Sequence, residues 1–135
     1  MTIKENYNNV EDYSSLYRSV GWEPISLENA KIALLNSVYS VSIYDGDEAI
    51  GFGRIIGDSI RFLYVCDIMV RPEYQGQGVG RTIMESIIRK IDEIKAIEPR
   101  VTTYLGAVSG KEGFYKKFGF KTRKEDGTGE GMVLH

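Results

Sequence analysis

Three glycines at alternate positions, Gly76, Gly78 and Gly80, stand between an apolar run from Phe62 to Val70 and a helical apolar repeat that opens at Val79. A run apolar on both faces reads as a central strand. The repeat of Val79, Ile83, Met84, Ile87, Ile88, Ile91 and Ile94 makes one stripe along a helix. The chain must therefore pass from a buried strand into a helix through a turn open enough for backbone to approach a ligand. Backbone N–H groups and the positive end of a helix meet at such a junction, and together they hold phosphate. The spacing excludes two common nucleotide loops. No Gly-Lys-Ser/Thr follows, as a Walker loop needs. The glycines give G-x-G-x-G rather than G-x-G-x-x-G, and no first strand of a doubly wound sheet precedes them. Taken alone, the glycines serve a plain structural turn equally well.

The rest of the chain supplies a sheet around that junction. Ile3 is placed in a short first strand. Val10, Tyr13, Leu16, Tyr17 and Val20 recur at helical spacing, and Gly21 ends that helix. Ser26 suits the N-cap of a second helix through Ala30, Ala33, Leu34 and Val38. Strands follow at Val38–Tyr44 and Ala49–Ile56, joined by the Asp45-Gly46-Asp47 turn. In the long helix, Glu85 and Arg89 are spaced for an ion pair, and Pro99 stops the helix. A strand over Val101–Leu105, a helix over Gly110–Phe118, and a last hairpin of Phe120–Thr122 with Met132–Leu134 complete the order. This predicts a single mixed α/β domain over residues 1–135, with a central sheet of about six to seven strands flanked by about four helices.

Composition removes several function classes. Hydrophobic residues are 42% of 135, enough for a core, and the net charge of −2 lacks the basic face that nucleic-acid binding wants. The single cysteine, Cys66, forms no internal disulfide and fits a reducing compartment. The only histidine, His135, argues against a zinc site or a His-based triad, so no metal is expected. Met1 to Asn6 lacks the apolar core of a signal peptide, and no run approaches a membrane span. A soluble cytoplasmic protein without membrane or nucleic-acid partners is the expectation.

Gln75-x-x-Gly78-x-Gly80 resembles the acyl-CoA pyrophosphate loop of the GNAT superfamily of N-acetyltransferases, whose usual form is Arg/Gln-x-x-Gly-x-Gly/Ala. Phe114-Tyr115 with Gly119-Phe120 resembles the Phe-Tyr-x-x-x-Gly-Phe signature near the end of those enzymes. The two motifs stand in the family's order with one strand between them, and the element order matches over nearly the whole chain. Leu16 to Trp22 also resembles a segment of many small GNAT proteins of bacterial and plastid type.

The resemblance implies residue roles. Free backbone groups of Ile68, Met69 and Val70 would pair with the pantetheine arm of acetyl-CoA. Gln75, Gly76, Gln77, Gly78, Val79 and Gly80, with Arg81 at the helix start, would hold the pyrophosphate, chiefly through N–H groups. Tyr115 matches the tyrosine that protonates the departing thiolate; the plainer alternative is a packing role with Phe114 and Phe118. Many relatives carry asparagine seven positions earlier, where this chain has Val108. Asp67, the one acidic group in the strand, is placed either to bind or deprotonate the acceptor amine or to form a salt bridge or cap. Cys66 beside it is expected on the opposite face by strand alternation. Tyr17 and Trp22 would line the amine pocket or serve as core aromatics. Lys116, Lys117, Lys121, Arg123 and Lys124 form a basic cluster, either a solvated face or a contact for the ribose phosphate.

The implied reaction is transfer of an acetyl group from acetyl-CoA to a primary amine of a small molecule or peptide, by direct attack in a ternary complex. The alternative is a catalytically idle acyl-CoA-binding sensor or interaction module. Dimers are common among similar proteins, so a homodimer stays open.

Overall fold

The computed structural model describes residues 1–135. The elements, in order, are β1 (Thr2–Glu5), α1 (Val10–Ser19), α2 (Leu27–Leu35), β2 (Tyr39–Asp45), β3 (Glu48–Gly57), β4 (Phe62–Val70), a 3-10 turn (Pro72–Tyr74), α3 (Val79–Ile97), β5 (Thr102–Leu105) and α4 (Glu112–Lys116). Met1–Leu105 and Gly106–His135 are two compact units.

The first unit holds one five-stranded sheet in the order β1-β2-β3-β4-β5. Strands β1 to β4 are antiparallel neighbours, and β4 pairs with β5 in parallel after the α3 crossover. The mixed α/β class agrees with expectation, but the strand count falls short of six to seven. The missing pair is the last hairpin: neither 120–122 nor 132–134 forms a strand. The reason is local. Backbone N–H groups of Asp126, Gly127 and Thr128 bond to the carbonyls of Thr122, Lys124 and Arg123, and the Glu125 carboxylate takes the Thr122 N–H. Backbone groups spent within a turn are lost to a ladder. α4 is also shorter than Gly110–Phe118.

Local chemistry sets the helix starts. Asn9 caps α1 by accepting from the Asp12 N–H at 2.9 Å, and Ser26 caps α2 through the Asn29 N–H at 3.1 Å. The stripe of α3 packs on one face of the sheet, with Val79, Ile83, Met84, Ile87, Ile91 and Ile94 buried. Helices α1 and α2 bring Tyr13, Leu16, Ala30 and Leu34 into a core cluster with Tyr44, Ala49, Phe52 and Met69. Each aliphatic side chain so buried stabilises the fold by roughly 1.5–3 kcal/mol relative to exposure. The Glu85–Arg89 pair does not form; Arg89 instead reaches the Glu5 carboxylate on β1 and the Tyr39 hydroxyl on β2. A partner held by the sheet replaces one on the helix itself.

Candidate active site

β4 is interrupted at its centre. Phe52 lies opposite Met69, and Arg54 opposite Cys66. Gly53 therefore faces two residues, Asp67 and Ile68, which is a β-bulge. Asp67 adopts φ 55, the left-handed region that aspartate tolerates better than most side chains. The bulge breaks alternation and corrects the expectation for Cys66. Its pairing with Arg54 puts it on the same face as Arg54 and Asp67. Burial pushes the Cys66 thiol up to about 11, so it remains protonated near neutral pH.

The Asp67 carboxylate is held from three sides. Arg54 Nε donates to Oδ2 at 2.7 Å, the Tyr13 hydroxyl donates to Oδ2 at 2.6 Å, and the Tyr17 hydroxyl donates to Oδ1 at 3.3 Å. The Arg54 and Asp67 side chains are only 14% and 10% exposed, so this is a buried pair rather than a surface bridge. Arg54 Nη1 also donates to the Ala33 carbonyl at 3.1 Å and to Ser37 Oγ at 3.3 Å, at the end of α2. Burial works against the charged guanidinium, yet the Asp67 hydrogen bond and charge outweigh it and raise its pKa. Burial, then the Asp67 charge, push the Tyr17 phenol up; burial and the Asp67 hydrogen bond do the same for Tyr13. Both stay neutral donors at physiological pH.

Tyr17 continues an aromatic series on this side of the sheet. Its ring lies 5.3 Å from that of Tyr13 and 5.2 Å from that of Trp22, and Tyr13 meets Phe52 at 5.2 Å. Trp22 and Tyr17 are half-buried and pack against the core cluster. The structure thus brings Asp67, Tyr17 and Trp22 together. Arg54 and Tyr13 complete the group; the sequence points to Tyr13 on the first helix but not to Arg54. One signal was present: Arg54 is the lone cation in the apolar β3 run, as Asp67 is the lone anion in β4.

On its other side, β4 pairs with β5 only from Phe62 to Val65. The stretch Cys66–Val70 continues without a β5 partner. Ile68 points its Cδ1 toward Gly53, and Met69 is buried in the core. What these residues offer along that edge is backbone.

The loop after β4 is built from its own hydrogen bonds. Gln75 Nε2 donates to the Val70 carbonyl at 3.1 Å, and the Gln75 N–H bonds to the Pro72 carbonyl at 3.2 Å. The Gln77 side chain donates to the Glu73 carbonyl at 3.1 Å. The Tyr74 hydroxyl reaches Asp45 at 2.7 Å and fixes the turn to the β2–β3 hairpin. Arg71 Nε donates to the Ala49 carbonyl at 3.0 Å and Arg71 Nη2 to Ser15 Oγ at 3.2 Å, joining β3 and α1 to the loop. Gly76 and Gly78 take φ 78 and 84, and nothing stands where a Cβ would project from either. Gly78 is the N-cap of α3 and supplies no side chain to cap it. The N–H groups from Gly76 to Arg81 therefore remain free to bind an anion at the positive end of a 19-residue helix.

Within the second unit, Tyr115 lies on α4 among Phe114 at 5.1 Å and Phe120 at 6.3 Å. Burial raises its pKa, so the phenol is protonated at neutral pH. In the basic cluster, Lys116 pairs with Glu125 at 3.3 Å and Arg123 donates to the Gly129 carbonyl. No group of His, Cys, Asp or Glu is placed to hold a metal ion, and no helix is long and apolar enough to cross a membrane.

Known proteins carry the same fold and sequence features. The family model of the acetyltransferase (GNAT) domain matches residues 36–122. An uncharacterised N-acetyltransferase of Gracilaria tenuistipitata var. liui is 34% identical over 127 residues, covering 87% of this chain and 64% of that protein. This chain thus spans a little under two thirds of that relative's length. A probable acetyltransferase from meticillin-resistant Staphylococcus aureus superposes with TM-score 0.84 at 34% identity over 99% of both chains. A GNAT family protein of Streptococcus pneumoniae gives TM-score 0.79 at 28% identity, over 99% of this chain and 97% of that one. With the loop, the bulged strand and the match over most of its length, this chain belongs to the GNAT acetyltransferase family.

Proposed function

We propose that this protein moves an acetyl group from acetyl-CoA to a primary amine of a small molecule or peptide by direct attack within a ternary complex. The observation that carries the reading is the row of free N–H groups from Gly76 to Arg81, beside the unpaired β4 edge of Ile68, Met69 and Val70. The first suits a pyrophosphate and the second an amide-bearing arm. These two features together match acetyl-CoA better than a free nucleotide.

On the acceptor side, Tyr17, Trp22 and Asp67 form the floor. The Tyr17 hydroxyl spends its proton on Asp67 and keeps its oxygen lone pairs for an N–H of the incoming amine. Asp67, already holding several donors, acts as a fixed negative charge beneath that contact. The ammonium loses a proton to solvent, the neutral nitrogen attacks the thioester carbonyl, and a C–N bond replaces the C–S bond as the nitrogen gives up a second proton to solvent. Tyr115 protonates the departing thiolate and is reprotonated from solvent.

A thermal-shift panel with acetyl-CoA, CoA, ATP and NAD tests the donor. A ligand at a hundred times its Kd adds about 2.7 kcal/mol, which raises Tm by several degrees. Absence of a shift with either CoA species ends this reading. Thiol release with a panel of amines then tests transfer; CoA binding without turnover on any amine would leave a binding module instead.

A further inference from the structure

We propose that Arg54 is a positioning residue for the acyl donor: by gripping Asp67, it holds the β4 bulge and thereby sets the backbone edge of Ile68–Val70 against the pantetheine arm. The inference rests on the acetyl-CoA reading above.

A non-glycine residue at positive φ is strained, and it persists only where its surroundings over-determine it. At Asp67 the restraint is visible. Its carboxylate is drawn toward α1 by Tyr13 and toward β3 by Arg54, at 2.6 and 2.7 Å. Arg54 is itself immobilised by two contacts at the end of α2, the Ala33 carbonyl and Ser37 Oγ. One guanidinium on β3 thus joins α2 and β4, and the carboxylate that it holds reaches α1. Only a planar fork reaches all these acceptors at once, and a lysine has no counterpart to it.

The consequence falls on the residues after the bulge. The extra residue shifts β4 by one position relative to β3, so Ile68 faces α3 while Met69 faces the α1–α2 core. Without the grip on Asp67, the strain favours return toward regular pairing, and each following amide and carbonyl turns away from its present direction. The loop from Gln75 to Arg81 is also held by the Gln77 bond to the Glu73 carbonyl, the Tyr74–Asp45 contact and the Arg71 bond to the Ala49 carbonyl, none of which involves Arg54 or Ile68–Val70. The two halves of the donor are therefore separable.

Calorimetric titration with acetyl-CoA and with its 3′-phospho-ADP half reads this separation. Arg54→Met/Asp67→Asn removes both charges and avoids a buried unpaired carboxylate. We expect acetyl-CoA to bind about tenfold or more weakly, as loss of one or two backbone hydrogen bonds implies, with less than about twofold change for the nucleotide half. A merely structural role would weaken both ligands alike, and that result overturns the proposal, as does unchanged acetyl-CoA binding. Arg54→Met/Asp67→Gly also leaves no buried charge, and glycine takes positive φ without strain. It should recover part of the acetyl-CoA affinity lost in Arg54→Met/Asp67→Asn, and no recovery also overturns the proposal. If the unaltered protein binds the nucleotide half but not acetyl-CoA, or binds neither, the acetyl-CoA reading itself has failed.

Discussion

Gly53 on β3 lies directly beneath Ile83 of α3, so close that a Cβ on Gly53 would stand 2.7 Å from Ile83 Cγ2. The same Cβ would meet Ile68 Cδ1 at 2.7 Å and Ile87 Cδ1 at 3.0 Å. A methyl group here must displace these side chains. Gly53→Ala should cost about 1–3 kcal/mol by overpacking and lower Tm by several degrees in calorimetry. Removing a Cδ1 that the new methyl would meet, as in Gly53→Ala/Ile68→Val, should recover part of the loss.

Gly78 presents the opposite case, with open space around it but φ 84. Gly78→Ala clashes with nothing and instead strains the backbone by about 1 kcal/mol. It also disfavours the turn that exposes the first N–H groups of α3. The expected result is weaker CoA binding in titration with only a small fall in Tm. A large fall in Tm with normal binding would contradict this.

Tyr115→Phe separates chemistry from binding. Loss of a positioned general acid should reduce kcat by about a hundredfold or more, while CoA affinity stays nearly constant because the loop lies elsewhere in the sequence. Burial raises the Tyr115 pKa above its ordinary 10.0, so activity that needs the protonated phenol should persist past that pH and fall only as the pH rises through the raised value. A kcat profile from pH 7 upward reads the limb, and the Phe variant should lack it.

Asp58 gives a stability signature of opposite sign. Its carboxylate accepts N–H bonds from Ile60, Arg61 and Phe62 at 2.9–3.0 Å, and these hold its pKa below the ordinary 3.8. A carboxylate lowered in the folded state contributes stability above its unfolded pKa, and that contribution fades as the pH falls through the folded value. The Tm difference between the unaltered protein and Asp58→Ala should be full at pH 7 and narrow below pH 3.8.

The strand-loop-helix junction was readable from sequence because its signals are local: apolar run, glycines, amphipathic stripe. Ser26 as a cap and Val79 as the start of α3 follow from the same short-range chemistry. The Asp67 network was only half readable. The sequence shows that a lone carboxylate in an apolar strand needs a partner, but the partners come from residues 13, 17 and 54, set by register and helix docking. The bulge was hidden for a related reason. Aspartate at positive φ has no sequence marker as plain as glycine, so alternation sent Cys66 to the wrong face. The C-terminal hairpin failed because Gly127 and its neighbours satisfy their hydrogen bonds within the turn, a competition that periodicity does not weigh.

The side-chain amide of Gln75 on the Val70 carbonyl has a kinetic meaning. With that bond, the Tyr74–Asp45 contact and the Arg71 clamp in place, the loop is already ordered before any ligand arrives. Its entropy of ordering belongs to folding rather than to association. Capture of an anion then needs no slow loop closure, so encounter should approach the diffusive regime, and differences among donors should appear mainly in how fast they leave.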